Sequence, residues 1–153
     1  MQWFSLPFSE LTTHQLYELL QLRVDVFIVE QNCPYSELDG LDHQPGVEHL
    51  LGCKDNKLVA YARLMPPELV YPEDSAIGRV IVHKDVRGNG MGVTLIKKAI
   101  ERCNELWSER AITIGAQAHL EKYYNSVGFQ RISDVYLEDD IPHIKMRKAP
   151  IIN

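Results

Sequence analysis

VRGNGMGVTLIKKAI, residues 86–100, decides how this chain is read. Three glycines alternate behind an arginine, and an apolar, lysine-bearing segment starts at once. A β-rich run, AIGRVIV (76–82), comes shortly before it, so the local order is strand, glycine turn, helix. Gly88, Gly90 and Gly92 let successive backbone N–H groups face one point without Cβ obstruction. The helix start behind them adds a partial positive charge, for which a pyrophosphate is a natural guest. Arg87 supplements such a cradle. Two familiar phosphate loops fail on spacing. G-x-x-x-x-G-K-[ST] does not occur, and the last glycine of a G-x-G-x-x-G reading from Gly88 is replaced by Val93.

The helix that opens there is expected to run through Trp107, with Ile96, Ala99, Ile100 and Cys103 on one face and Lys97, Lys98, Glu101 and Arg102 on the other. Upstream, MQWFSLPF reads as a first strand. From Thr12 or Thr13 the run THQLYELLQLRVDVFIVE repeats Leu16, Leu19, Leu20, Val24 and Phe27 at helical spacing behind a threonine N-cap. Residues 31–46, QNCPYSELDGLDHQPG, form a long irregular connection of the kind that more often binds than merely links. VEHLLGCKDNKLVAYARLM reads as a hairpin turning at Asp55-Asn56. Downstream, AITIGAQ reads as a buried strand and AHLEKYYNS as a short helix. VGFQRISDVYL and IPHIKMRK then read as two final strands joined at EDDI. The order is β-α-β-β-β-α-β-α-β-β, an α/β mixture with helices on both faces of a central sheet.

At 153 residues the chain is read as one domain, long enough to bury roughly 68–70% of the surface of its unfolded form. No apolar run of membrane length or secretory start is seen, so no membrane partner is expected. Cys33, Cys53 and Cys103 are odd in number and widely spaced, which points to free thiols of a cytoplasmic protein and to no metal site. Net charge is −5, yet residues 10–74 hold four basic against twelve acidic side chains, while residues 79–102 hold six against two. That division argues against nucleic acid as a partner. It suits an anion bound at residues 79–102 and a cation drawn to the acidic half, where Glu37, Asp39 and Asp42 cluster in the loop.

Arg87-x-x-Gly90-x-Gly92 after RVIVH resembles motif A, Q/R-x-x-G-x-G/A, of the GNAT acyltransferases. LEKYYNSVGF is similar to that family's second signature, an aromatic pair followed by x-x-x-G-F. LRVDVFIVEQNCPY, IGRVIV, GAQAHL and DDIPHI look like its small bacterial ElaA-type members, across almost the whole chain. The resemblance implies a GNAT-like mixed, splayed central sheet that opens a V between two strands. Acetyl-CoA would lie in that V as cosubstrate, its pyrophosphate on the amides of Arg87, Gly88, Asn89, Gly90, Met91 and Gly92. Backbone groups of Ile81 and Val82 would pair with the pantetheine. Gln117 stands seven residues before Tyr124, where the family's second signature often begins with asparagine.

By the same resemblance the reaction is acetyl transfer to a primary amine, with Tyr124 as the general acid that protonates the departing thiolate. A phenol with a pKa near 10 holds its proton at neutral pH. Tyr123 is the better core tyrosine of the pair. The base stays open: Glu30 lies seven residues after Arg23, on the same face of an α-helix within ~20°, and His143 carries an imidazole, a group whose ordinary pKa of about 6.5 suits proton uptake at neutral pH. His49, His83, His119 or a water are further candidates. Two alternatives remain: a module that binds CoA or another phosphate ligand without turnover, and a relation to acyl-homoserine lactone synthases carried only by LRVDVFIVEQ. Separately, exposed strand edges offer a route to a homodimer.

Overall fold

A computed structural model of the chain describes residues 1–151. In chain order the elements are β1 (Gln2–Pro7), α1 (Thr13–Arg23) continued by a π-helix (Val24–Glu30), β2 (Glu48–Lys54), β3 (Lys57–Met65), β4 (Ser75–Val82) and α2 (Met91–Leu106). They continue with β5 (Ile112–Gln117), α3 (Glu121–Asn125), β6 (Gln130–Arg131), β7 (Tyr136–Glu138) and β8 (Ile141–Lys148). One eight-stranded sheet has the order β1-β2-β3-β4-β5-β8-β6, with β7 also paired to β8. Every pairing is antiparallel except β4 with β5, which makes the sheet mixed.

β3 is buried on both faces because its side chains alternate between two helices. Ala60, Ala62 and Leu64 pack toward α2 with Leu95, Ile96, Ala99, Ile100 and Cys103. Tyr61 packs toward α1 with Leu19, Leu22, Val26 and Ile81. The expected apolar face of α2 is therefore the observed one, and helices cover both faces of the sheet. The β2–β3 hairpin turns at Asp55 and Asn56, whose φ values of 52° and 61° are those a two-residue type I′ turn demands. Among the described residues no helix is long and apolar enough to cross a membrane.

The splay comes from β4. It meets β5 only at Ser75–Ile112 and Ala76–Thr113, after which the two strands part. Just beyond, Gly78 pairs with Arg63 and Ile81 with Tyr61, so two residues, Arg79 and Val80, stand opposite the single Ala62. This β-bulge bends the strand and strengthens its twist. Arg79 carries the left-handed backbone (φ 51°) that the bulge imposes.

Two expectations need correction. The first helix does not stay α-helical to Glu30. Gln31 N–H donates to Val26 O and Cys33 N–H to Ile28 O, five residues back in each case. Leu22, Arg23 and Val26 are buried and Val24 is exposed, while Leu19 lies in the core with Leu16, Leu20 and Phe27 packed against it. The last segment also differs, because VGFQRISDVYL is not one strand. After Ile132 N–H bonds Lys145 O, Ser133 Oγ accepts Lys145 N–H at 2.8 Å in place of a backbone carbonyl. Arg131 Nε then donates to Ser133 O, and the ladder breaks between β6 and β7.

Candidate active site

The glycine loop follows β4 through a single 3₁₀ turn, Lys84–Val86. Gly88 and Gly90 have φ of +92° and +73°, and a Cβ at either would meet no heavy atom within 4 Å. The glycines are thus required by backbone conformation, and the space above them is open. The two long helices begin very differently. Thr12 and Gln15 form a reciprocal capping box that satisfies the first turn of α1. α2 has Gly90 at its N-cap, with no side-chain cap and no acidic residue in its first turn. Its first intrahelical bond is Thr94 N–H to Gly90 O, so the amides of Met91, Gly92 and Val93 are left for a ligand or solvent. Those residues fit a diphosphate, which supplies the acceptors that this helix start lacks. Tyr123 Oη donates to Gly92 O at 2.6 Å and ties α3 to that first turn.

Arg87 does not point into the loop. Its Nε donates to Val82 O at 2.8 Å, and its fork holds Glu30 through Nη1–Oε2 at 2.8 Å and Nη2–Oε1 at 3.3 Å. Glu30 therefore pairs with Arg87 and not with Arg23, against the shared-face expectation. In the π-helix each residue advances roughly 80° and not 100°, so seven steps swing Glu30 well over a third of a turn away from Arg23.

The remaining candidates surround the V. Ile81 is buried and its backbone lies opposite Tyr61 on β3. His83 N–H donates to Val59 O on β3, so by alternation the polar groups of Val82 face the other way, into the cleft. Tyr124 is buried on the α2 side, edge-on to Tyr123 (4.8 Å between centroids) and Phe129 (5.9 Å). Burial, followed by the neighbouring Tyr123, raises the pKa of its phenol well above the ordinary value, so its proton is held firmly. Gln117 ends β5 with its amide 3.5 Å from Gln31 Oε1, directly across from His143 on β8. His143 Nδ1 lies 2.7 Å from Ile141 O. A carbonyl only accepts, so Nδ1 carries a hydrogen, and Nε2 is the nitrogen left to exchange a proton. That Nε2 sits 3.3 Å from Glu138, while Tyr136 stacks on the ring at 6.0 Å. Gly115, at mid-strand in β5, is exposed, and Tyr136 Oη lies 3.1 Å from where its Cβ would stand.

Tyr124 and His143 consequently lie on opposite faces of the sheet. Between the two faces, β4 and β5 part beyond the Ala76–Thr113 rung. Tyr124 shares its face with the glycine-loop helix, and His143 shares its face with α1 and the 31–46 connection.

The acidic loop is not a free cation attractor. Arg23, wholly buried, binds Glu37 Oε2 at 2.6 Å and Asp42 Oδ1 at 2.6 Å. Arg63 binds Asp39 at 2.7 Å and Asp42 at 3.0 Å. Arg79 approaches Glu37 Oε1 to 2.6 Å, donates to Glu37 O, and lies 5.6 Å from the Tyr35 ring. Three arginines thus neutralise three carboxylates and fasten the loop to β3 and the β4 bulge. Burial alone would raise the pKa of Asp39, but hydrogen bonds from Arg63 prevail and hold it at about 2. His49 is enclosed in the same network, between Tyr61 Oη and Asp42 O, and its burial depresses its pKa. Arg63 and Arg79 were not among the candidates. The only hint of them in the sequence is a basic residue in an otherwise apolar strand.

Comparison with known proteins agrees with this geometry. Residues 21–150 match the acetyltransferase (GNAT) domain model. The chain is 46% identical to protein ElaA of Escherichia coli K12 over 151 residues, covering 99% of this chain and 98% of that one. The crystal structure of Escherichia coli ElaA superposes with a TM-score of 0.90, covering 96% and 98% of the two chains. An acyl-CoA N-acyltransferase from Pseudomonas aeruginosa superposes at 0.92 with 44% identity, over 97% of this chain and all of the other. An aminoglycoside 6′-N-acetyltransferase complexed with coenzyme A shares the fold alone, at a TM-score of 0.74 and 14% identity over 98% of both chains. With the open V, the uncapped helix start and these likenesses together, the chain belongs to the GNAT acetyltransferase family.

Proposed function

We propose that this protein moves an acetyl group from acetyl-CoA to a primary amine, the amine attacking the thioester directly. The observation that carries the reading is the parting of β4 and β5 after two rungs, beside a glycine loop whose helix amides are left unmet. The structural neighbour complexed with coenzyme A supports the choice of cofactor. When bound, the cofactor supplies an activated acetyl thioester. The chain's residues do the rest. Amides of Arg87, Gly88, Asn89, Gly90, Met91 and Gly92 form the seat for the diphosphate. The cleft-facing backbone of Val82 pairs with an extended arm, with Ile81 and Gln117 beside it. Tyr124 Oη holds a proton for the leaving sulfur, and its burial keeps that proton available throughout the working range. On the acceptor face, His143 Nε2 offers the lone pair that takes up a proton from the amine, and Glu138 stands ready to balance the imidazolium.

Thiol release from acetyl-CoA, measured with a panel of small amines and peptides, tests the reading. Release above the uncatalysed rate that falls about 100-fold or more in Tyr124→Phe, with CoA affinity little changed, supports transfer with Tyr124 as acid. Unaltered turnover would remove the tyrosine from that role. Tight CoA binding with no release for any amine would replace transfer by plain binding.

A further inference from the structure

Arg87 makes three hydrogen bonds, and none of them is to the loop it precedes. One is to the carbonyl of Val82, the last residue of β4, which faces the cleft where the strand has no β5 partner. The other two form a fork on Glu30, which ends the π-helix. The guanidinium thus lies across the mouth of the cleft, joining the α1 segment to the cofactor strand. Both side chains are 41% exposed, so the pair is open to solvent and to a competing anion.

We propose that Glu30 is a positioning residue that acts through Arg87, latching it over the cleft until an anionic ligand takes it. The inference rests on the cofactor reading above and deepens it. A diphosphate seated on the glycine-loop amides would offer Arg87 a second fork of acceptors with greater charge than one carboxylate. Turning to it would release Val82 O for the ligand's extended arm and leave Glu30 free beside the acceptor loop. Glu30 therefore competes with the ligand for one arginine. Cofactor binding and the charge of Glu30 are coupled, and by reciprocity each opposes the other by the same factor. The π-helix has a function in this account, since a regular helix would have turned Glu30 toward Arg23.

The experiment is isothermal titration of wild type, Glu30→Gln, Arg87→Gln and the double variant with CoA and, separately, inorganic pyrophosphate. An exposed fork of this kind is worth at most about fivefold in an equilibrium. Glu30→Gln is expected to tighten both ligands by about three- to fivefold, and Arg87→Gln to weaken both. In the Arg87→Gln background the gain from Glu30→Gln should vanish. Glu30→Gln with unchanged or weaker affinity, or a gain that persists without Arg87, overturns the latch. The cofactor reading fails separately: wild type that binds pyrophosphate but not CoA sinks that reading, and the latch is then decided on pyrophosphate. Binding of neither ligand by wild type or Glu30→Gln overturns both.

Discussion

Replacing Arg23 with methionine keeps most of its volume and removes one guanidinium from a set of six charged groups, four of them buried (Arg23, Glu37, Asp42 and Arg63). Stranding a buried charge costs about 3–5 kcal/mol when no partner is left. Here Asp42 would keep Arg63 at 3.0 Å, and Glu37 would keep Arg79 at 2.6 Å. Neither carboxylate would be fully abandoned, so the loss belongs at the low end, about 3 kcal/mol. In a domain of this size that corresponds to a fall of about 6–12 °C in melting temperature. Urea unfolding at pH 7, with a melting curve beside it, is the assay. Arg23→Lys keeps the charge without the fork and should fall between the two. The deficit should shrink in acid. The pKa of Asp42 is lowered by Arg23 and Arg63 against the pull of burial. Its contribution is therefore present above the unfolded value near ~3.9 and is lost as pH falls below that value. An Arg23→Met protein within about 1 kcal/mol of wild type at pH 7 would refute this reasoning, because it would show that two arginines suffice for three carboxylates.

Asp39, held at about 2, contributes stability above pH ~4 that disappears between there and pH ~2. Urea midpoints of Asp39→Asn measured across that window should show a shallower acid slope than wild type. Gly90→Ala meets open space but must adopt φ +73°, so it should lose about 1–2 kcal/mol and several-fold in CoA affinity by titration. Gly52→Ala is the counterpart. Its Cβ would stand 2.6 Å from the Trp3 ring, so about 1–3 kcal/mol should be lost with CoA affinity unchanged.

What the sequence made legible was local. The strand–glycine–helix order, the turn at Asp55-Asn56 and the apolar face of α2 each depend on residues a few positions apart, and each appears where expected. The signatures around Gly90 and Tyr124 were readable for the same reason. What stayed hidden were partnerships across the sheet. Asp39 meets Arg63 and Arg79, and Glu30 meets Arg87 57 residues away, so no spacing rule could have paired them. The π-helix was hidden differently. Val24, Val26, Phe27 and Ile28 are apolar on every side, and such a run does not show where the helical period widens. The β6–β7 break turned on one hydroxyl, Ser133 Oγ, replacing a backbone acceptor.

The neutralised network changes what the formal charge of this chain means to an approaching molecule. Glu37, Asp39 and Asp42 dominate any count of acidic residues in the connection, yet each is already matched by an arginine at contact distance. Seen from several ångströms away they are short dipoles, whose field dies off faster than that of a charge. The unmatched carboxylates near the acceptor face lie instead on the β7–β8 turn, where Asp139 and Asp140 are exposed. On the proposed reading, ionic strength should act on the capture of a cationic amine through that turn, with the fastened loop serving as an electrically quiet wall.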